Sequence, residues 1–231
     1  LNRLAIVECD KLDRALESGR GAIVFSCHMG PYLLVPALLS LAGYRTVVVE
    51  KLGLVEGALV ARQVRRLNRS LTRTMLETEM AYDDLLLKKL VRHLRDGKLV
   101  FMMGDYHGDR LTSKARRVRF MGHEIVPGRA IAWLHAKTAA PIFPVMERRA
   151  QGGRYFGVLD QLELDIPQKV DYNTQAVYCT IEQEILRSPE KWLLWMDYHL
   201  MLSKKQVNQE LPSGTVAARR KGVEASLHPP Q

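Results

Sequence analysis

Four runs of consecutive apolar residues frame this chain: "AIVF" at 22–25, "RTVVVE" at 45–50, "KLVFMM" at 98–103 and "PIFPVME" at 141–147. Runs without polar alternation predict strands buried on both faces, as in a parallel sheet covered by helices. Between them the periodicity turns helical. "DKLDRALESGRG" puts Leu12 and Leu16 on one face, with Asp10 as N-cap and Gly19 as stop. Pro31 opens a helix that runs to about Leu41 and is closed by Gly43. Over 80–95, Leu87, Leu90, Val91 and Leu94 form an apolar face and Gly97 ends it. "GRAIAWLHAKTAA" and "TQAVYCTIEQEILRSPEKW" predict two more helices, the second ending before Pro189.

Three stretches are less regular. Residues 55–70 read as a basic helix with Arg62, Arg65, Arg66 and Arg69. In "RRVRFMG", Arg117 and Arg119 alternate with Val118 and Phe120, the pattern of a half-buried strand. "RYFGVLDQLEL" predicts an additional strand after a Gly-Gly turn. The alternation of strands and helices predicts an α/β fold: one domain over 1–205, with a mostly parallel central sheet flanked by helices. Residues 206–231 carry Pro, Ser and "RRK" with little periodicity and predict a mobile basic tail. There is no internal repeat.

Composition narrows the function classes. The chain of 231 residues can bury a sizeable core. Its net charge of +9 favours an anionic partner: nucleic acid, an anionic membrane surface, or an acidic protein or cofactor. The basic stretches hold few aromatics and no helix-turn-helix or RNA-binding signature, so nucleic acid is not an expected partner. Cys9, Cys27 and Cys179 lie far apart, without a CxxC pair. That argues against a disulfide scaffold or a cysteine zinc site and favours a reducing compartment. No apolar stretch reaches the roughly 18–20 residues that span a bilayer. The longest, "PYLLVPALLSLAGY", is interrupted by Pro36. No signal-peptide pattern is present. The chain opens on Leu1 rather than Met, which leaves room for an N-terminal segment with a membrane anchor.

The candidate chemistry gathers at strand ends. His28 stands where "AIVF" gives way to the Pro31 helix, and catalytic groups are often placed at the carboxyl ends of parallel strands. A neutral imidazole there can act as general base near neutral pH; the bland alternative is a histidine that fills a polar niche. Cys27 is adjacent, but neighbours on an extended strand face opposite ways, so Cys27 reads as a core residue. Asp105 closes "LVFMMGD" and reaches the same sheet edge if the strands are parallel; otherwise it caps the following turn. His107 and Asp109 follow, without a paired metal-ligand spacing, and no metal is expected. Arg116, Arg117 and Arg119 can hold a phosphate or can simply protect a strand edge.

The order of these segments resembles the bacterial lipid A late acyltransferases, the lauroyl/myristoyl branch of the lysophospholipid acyltransferase superfamily. The likeness covers residues 4–200. "ALESGRGAIVFSCHMGPYLLVPALL" is similar to that family's strand, histidine block and helix. "GKLVFMMGDYHGDR" resembles its strand ending in Asp-Gln, and "VRFMGHEIVPGRAIAWLHAKTAAPIFPVMERR" its Phe-Phe-Gly, Gly-x-Ala and Gly-Ala-Pro-x-x-Pro segment. "LRSPEKWLLWMDYHLML" resembles the closing Pro-Glu-x-Trp segment. The departures are specific. The family carries His-x-x-x-x-Glu or Asp, usually His-x-Gly-Asn-Trp-Glu; this chain has His28-Met29-Gly30-Pro31-Tyr32-Leu33, with leucine in the acid's position. The Asp-Gln pair is Asp105-Tyr106, and the hydrophobic N-terminal anchor is absent from this chain.

The resemblance implies a glycerolipid-acyltransferase-like fold. It also implies acyl transfer from an acyl carrier protein or CoA thioester to a hydroxyl or amine acceptor, without a cofactor. His28 would be the general base and Asp105 the carboxylate that takes over from Leu33. Gly30, Tyr106, Arg119 and Gly128 would bind substrate. "YLLVPALLSL" offers an apolar lining for the acyl chain, or ordinary core. The implied location is cytoplasmic, peripheral on the inner membrane. Two other readings stay open: a non-catalytic acyl- or carrier-protein-binding subunit, and a different reaction on a thioester-bound intermediate.

Overall fold

The computed structural model describes residues 6–50, 76–81, 84–106, 117–150, 153–158, 160–164 and 169–202. The expected 55–70 helix, His107, Asp109, Arg116 and the C-terminal tail lie outside these residues. The strands are β1 (Ile6–Val7), β2 (Ala22–Ser26), β3 (Thr46–Glu50), β4 (Leu76–Met80), β5 (Leu99–Met103), β6 (Val118–Phe120), β7 (His123–Ile125), β8 (Ile142–Ala150) and β9 (Gly153–Val158). The α-helices are α1 (Asp10–Glu17), α2 (Val35–Leu41), α3 (Leu86–Arg95), α4 (Ala130–Thr138), α5 (Val170–Arg187) and α6 (Tyr198–Met201).

Seven strands form one sheet in the order β1-β9-β8-β2-β5-β3-β4, and β6 and β7 form a separate hairpin. Within the large sheet only β8 and β9 pair antiparallel. The expected α/β architecture with a mostly parallel sheet is thus the observed one. Both faces are covered, which is why the strands read as unbroken apolar runs. Ile23, Phe25, Val100 and Met102 pack on one face, against Leu90, Leu94, Leu134 and Ile181 of the helices α3, α4 and α5. Ala22, Val24, Leu99 and Phe101 pack on the other, against Leu12, Val35 and Leu39 of α1 and α2.

Several boundaries differ from expectation. Asp10 is the first residue of α1, and Cys9 holds the cap position without a side-chain bond. Pro31 opens a single 3₁₀ turn over Tyr32–Leu34, and α2 starts only at Val35. The helix expected over 80–95 begins at Leu86, because Leu76–Met80 is an edge strand beside β3. Its core face is Leu86, Leu90 and Leu94, with Val91 partly buried, whereas Leu87 is exposed. The helix α5, expected from Thr174, starts at Val170, and the strand expected over 154–164 ends at Val158. "RRVRFMG" is half of a hairpin: Phe120 and His123 pair across Met121-Gly122, both at positive φ, as a two-residue turn of the right twist requires.

Candidate active site

The register of two neighbouring strands builds the site. In β2 and β5, Ser26 lies beside Met103. His28 and Asp105 each follow two residues later, so equal offsets bring them side by side at the sheet's carboxyl edge. The Gly104 N–H extends the ladder to the Ser26 carbonyl at 2.8 Å. A side chain at Gly104 would press into Ile181 and Phe25, each 2.8 Å from the added carbon, so glycine keeps Asp105 close to the sheet.

His28 Nδ1 and Asp105 Oδ1 are 2.7 Å apart. Asp105 Oδ2 accepts the His28 backbone N–H at 2.8 Å and the Trp192 indole N–H at 2.9 Å. Asp105 is wholly buried, and these three donors offset the desolvation of its carboxylate. With Nδ1–H given to Asp105, the Nε2 lone pair is left to accept a proton. Nε2 has no hydrogen-bond partner among the described residues, and the histidine side chain keeps 13% of its surface open. The Tyr32 ring stands edge-on, 4.8 Å from the imidazole. Burial, and then the Asp105 charge, push the Tyr32 phenol up, so it stays protonated near neutral pH.

The loop that carries His28 is tied on both sides. Its carbonyl accepts the Leu193 N–H at 2.8 Å, and Met29 bridges Trp192. Gly30 takes φ +56°, and an added Cβ would meet the Glu147 carboxylate at 2.2 Å. Lys191 pairs with that carboxylate at 3.3 Å. Gly30 therefore has a packing reason of its own. Gly128 donates to the Tyr106 carbonyl at 2.8 Å and to the Tyr178 hydroxyl at 3.0 Å, and a Cβ there would strike the same carbonyl. The Tyr178 hydroxyl also donates to that carbonyl, at 2.5 Å. Burial pushes the Tyr178 phenol up, so it remains a donor.

Of the residues singled out in the sequence, His28, Asp105, Gly30, Tyr106 and Gly128 share this corner. Arg119 does not: it is exposed on the hairpin, opposite the face on which Phe120 meets Trp192 and Tyr178. Leu33 is 52% exposed on the 3₁₀ turn, and the histidine nitrogen that an acid there would serve is already bonded to Asp105. Trp192 and Tyr178 were not among the candidates. The block "SPEKW" contains Trp192, but nothing in a linear pattern reveals that its indole turns onto Asp105.

Two further features limit the chemistry. Cys27 is buried, with Sγ 3.8 Å from Met146 Sδ. Burial, and then the Asp105 charge, push its thiol well up, which disfavours a thiolate nucleophile. A cavity of about 340 Å³ beside the loop is walled by charges: Arg148 pairs bidentately with Glu184, which also binds Arg187. Cys27, Met29 and Met146 line it as well, so its wall mixes charged and apolar groups. The helix α2 turns Val35, Ala37 and Leu39 into the core. Among the described residues no cluster of three His, Cys, Asp or Glu side chains is placed to hold a metal, and no helix is long and apolar enough to cross a membrane.

The family model of the bacterial lipid A biosynthesis acyltransferases matches residues 2–199, and the chain belongs to that family. No curated protein matches it.

Proposed function

We propose that this member of the lipid A acyltransferase family transfers an acyl group from an acyl carrier protein or CoA thioester to a hydroxyl or amine of a lipid acceptor, with His28 as general base. The 2.7 Å contact between His28 Nδ1 and the buried Asp105 carries this reading, because it leaves Nε2 open. Nε2 takes the acceptor's proton as the acceptor oxygen or nitrogen attacks the thioester carbonyl. The new C–O or C–N bond forms, the C–S bond breaks, and the imidazolium returns the proton to the departing thiolate. Asp105 fixes the tautomer and ring orientation and stabilises the imidazolium, the part a triad aspartate plays. In this reading Asp105 supplies what position 33 does not, while Trp192 and the His28 backbone N–H hold the carboxylate in place.

The implied partners are the thioester donor, an acyl acceptor in or on a membrane, and an anionic membrane surface that the net charge of +9 favours. A cytoplasmic location, peripheral to the inner membrane, goes with this reading. The test is release of free thiol from acyl carrier protein and acyl-CoA donors of several chain lengths, with and without lipid acceptors. Acceptor-dependent thiol release supports the reading. Donor binding without any release replaces it with a non-catalytic binding subunit.

A further inference from the structure

The strap that carries Trp192 onto Asp105 has little backbone to hold its register. Trp192 is an extended residue between two short 3₁₀ turns, Pro189–Lys191 and Leu193–Asp197. The strap meets the His28 loop in a single antiparallel bridge, Met29 to Trp192. The Leu193 N–H bonds the His28 carbonyl at 2.8 Å, but the Gly30 N–H reaches the Lys191 carbonyl only at 3.4 Å, long for such a bond. A slip by one residue would turn the indole away from Asp105, since neighbours on an extended chain point opposite ways. One carboxylate touches both sides of this bridge. Glu147 comes three residues after Pro144, which pairs with Phe25, so β8 brings it beside the His28 loop. Its Oε2 fills the space that a Cβ on Gly30 would need. The same oxygen is 3.3 Å from Lys191 Nζ, and the two side chains are only 3% and 15% exposed. Arg148 and Arg187, which line the same recess, are committed to Glu184.

We propose that Glu147 and Lys191 are positioning residues for the acyl transfer: their ion pair fixes the register of the strap on the His28 loop, and so keeps the Trp192 indole N–H on Asp105 and Asp105 on His28. The inference deepens the proposed function and rests on it for its effect on rate. A buried ion pair is a poor source of net stability, because desolvation offsets its Coulombic gain; its best-attested use is to specify register. Here the register has a consequence, since Trp192 donates one of the three hydrogen bonds that hold the Asp105 carboxylate. The family pattern leaves both positions open. Lys191 fills the variable place of the Pro-Glu-x-Trp segment, and Glu147 follows the last proline of the Gly-Ala-Pro-x-x-Pro segment. Both residues act through Trp192.

The test reads the Trp192 indole directly. Trp133, Trp192 and Trp195 are the three tryptophans, and each gives one indole N–H signal in a proton–nitrogen correlation spectrum. Trp192→Phe assigns the signal of interest, and Trp133 on α4 serves as the control. In Lys191→Met the Trp192 signal should move toward that of a free indole and its solvent exchange should quicken about tenfold or more, while the Trp133 signal stays in place. Glu147→Gln keeps the shape of its side chain and carries the same expectation if Lys191→Met does not fold. Lys191→Arg keeps the cation and should keep the signal. In thiol release, Lys191→Met should lower kcat up to about tenfold with donor KM nearly constant, and should cost less than about twofold more when added to Trp192→Phe. Three results overturn the proposal: a Trp192 signal and exchange unchanged in Lys191→Met and Glu147→Gln, a signal lost as fully in Lys191→Arg as in Lys191→Met, or a double variant whose rate loss is the product of the single losses. The indole readout needs no substrate. A protein that releases no thiol contradicts the proposed function and leaves the indole signal to decide the positioning, whereas thiol release with an unmoved signal in the variants contradicts the positioning alone.

Discussion

His28 and His93 both touch carboxylates, and their surroundings separate a candidate base from a structural link. His93 lies on α3, with Nε2 3.0 Å from Glu79 and Nδ1 3.2 Å from the Lys98 ammonium. Lys98 in turn binds both oxygens of Glu77, at 2.7 and 2.9 Å, and Lys89 binds Glu79 at 3.2 Å. An ammonium can only donate, so Nδ1 accepts and both ring nitrogens are occupied. The network ties α3 and the start of β5 to the edge strand β4, well along the strand rather than beyond its end. His28 differs on each count. Its carboxylate is wholly buried, its second nitrogen is unoccupied, and it stands past the carboxyl end of a central strand. A histidine–carboxylate contact is therefore not a site in itself; the open nitrogen and its place in the sheet make it one.

The largest expected difference between the two is in rate. His28→Ala should lower acceptor-dependent thiol release by about 10²–10⁴-fold with little change in melting temperature. His93→Ala should leave the rate near wild type and lower the melting temperature instead. A rate loss of similar size in both variants, with both still folded, breaks the distinction.

Trp192→Phe comes next. It removes one charge-assisted hydrogen bond from Asp105 and keeps most of the ring's packing. Loss of such a bond costs about 1.5–3 kcal/mol, so kcat should fall by roughly tenfold or more while donor KM stays nearly constant. A pure stability loss with unchanged kcat at a temperature where the variant is folded would make Trp192 a packing residue only.

The structural pair has a pH signature of its own. Burial pushes the Glu79 carboxyl up, but hydrogen bonds and charge from His93 and Lys89 outweigh it and hold the group below the usual carboxylate range. A carboxylate with a lowered folded-state value stabilises the protein above its unfolded value of about 4.3. That contribution is lost as pH falls through the folded value. Glu79→Gln should therefore flatten the acid side of the stability curve, read from urea midpoints between about pH 6 and pH 3, without altering the rate at neutral pH. An unchanged acid limb would mean that the network around His93 adds nothing to acid stability.

The smallest effect concerns Leu33. The side chain is exposed, and His28 Nδ1 is already bonded. Leu33→Glu should change rate and melting temperature little, since most exposed substitutions fall within about 0.5 kcal/mol. A large rise in rate would show that Asp105 orients the imidazole poorly and that an acid at position 33 does it better.

Legibility in the sequence followed the same physics. The runs at β2, β3, β5 and β8 were readable because burial on both faces leaves no polar interruption. The edge strand β4, "LETEM", was not, because its glutamates serve side-chain links to α3 that a linear pattern does not display. The hairpin was half legible: alternation gave away β6, but Met121 at positive φ is a poor turn signal beside Gly122. His28 and Asp105 stood out as polar residues after apolar strands, and parallel pairing was enough to expect them close together. Trp192 and Tyr178 reach the site from the C-terminal third of the chain. Only the three-dimensional packing of that segment over the strand ends reveals them.

The central claim is that Asp105 orients His28. It is tested most directly by kcat/KM for thiol release in Asp105→Asn, measured where the variant and wild type have the same circular dichroism. Asparagine keeps the shape but lets its amide face Nδ1, which favours the wrong tautomer. The account predicts a fall of about 10⁴-fold. Retention of the rate within about threefold, well under the tenfold that 1.4 kcal/mol represents, would contradict it.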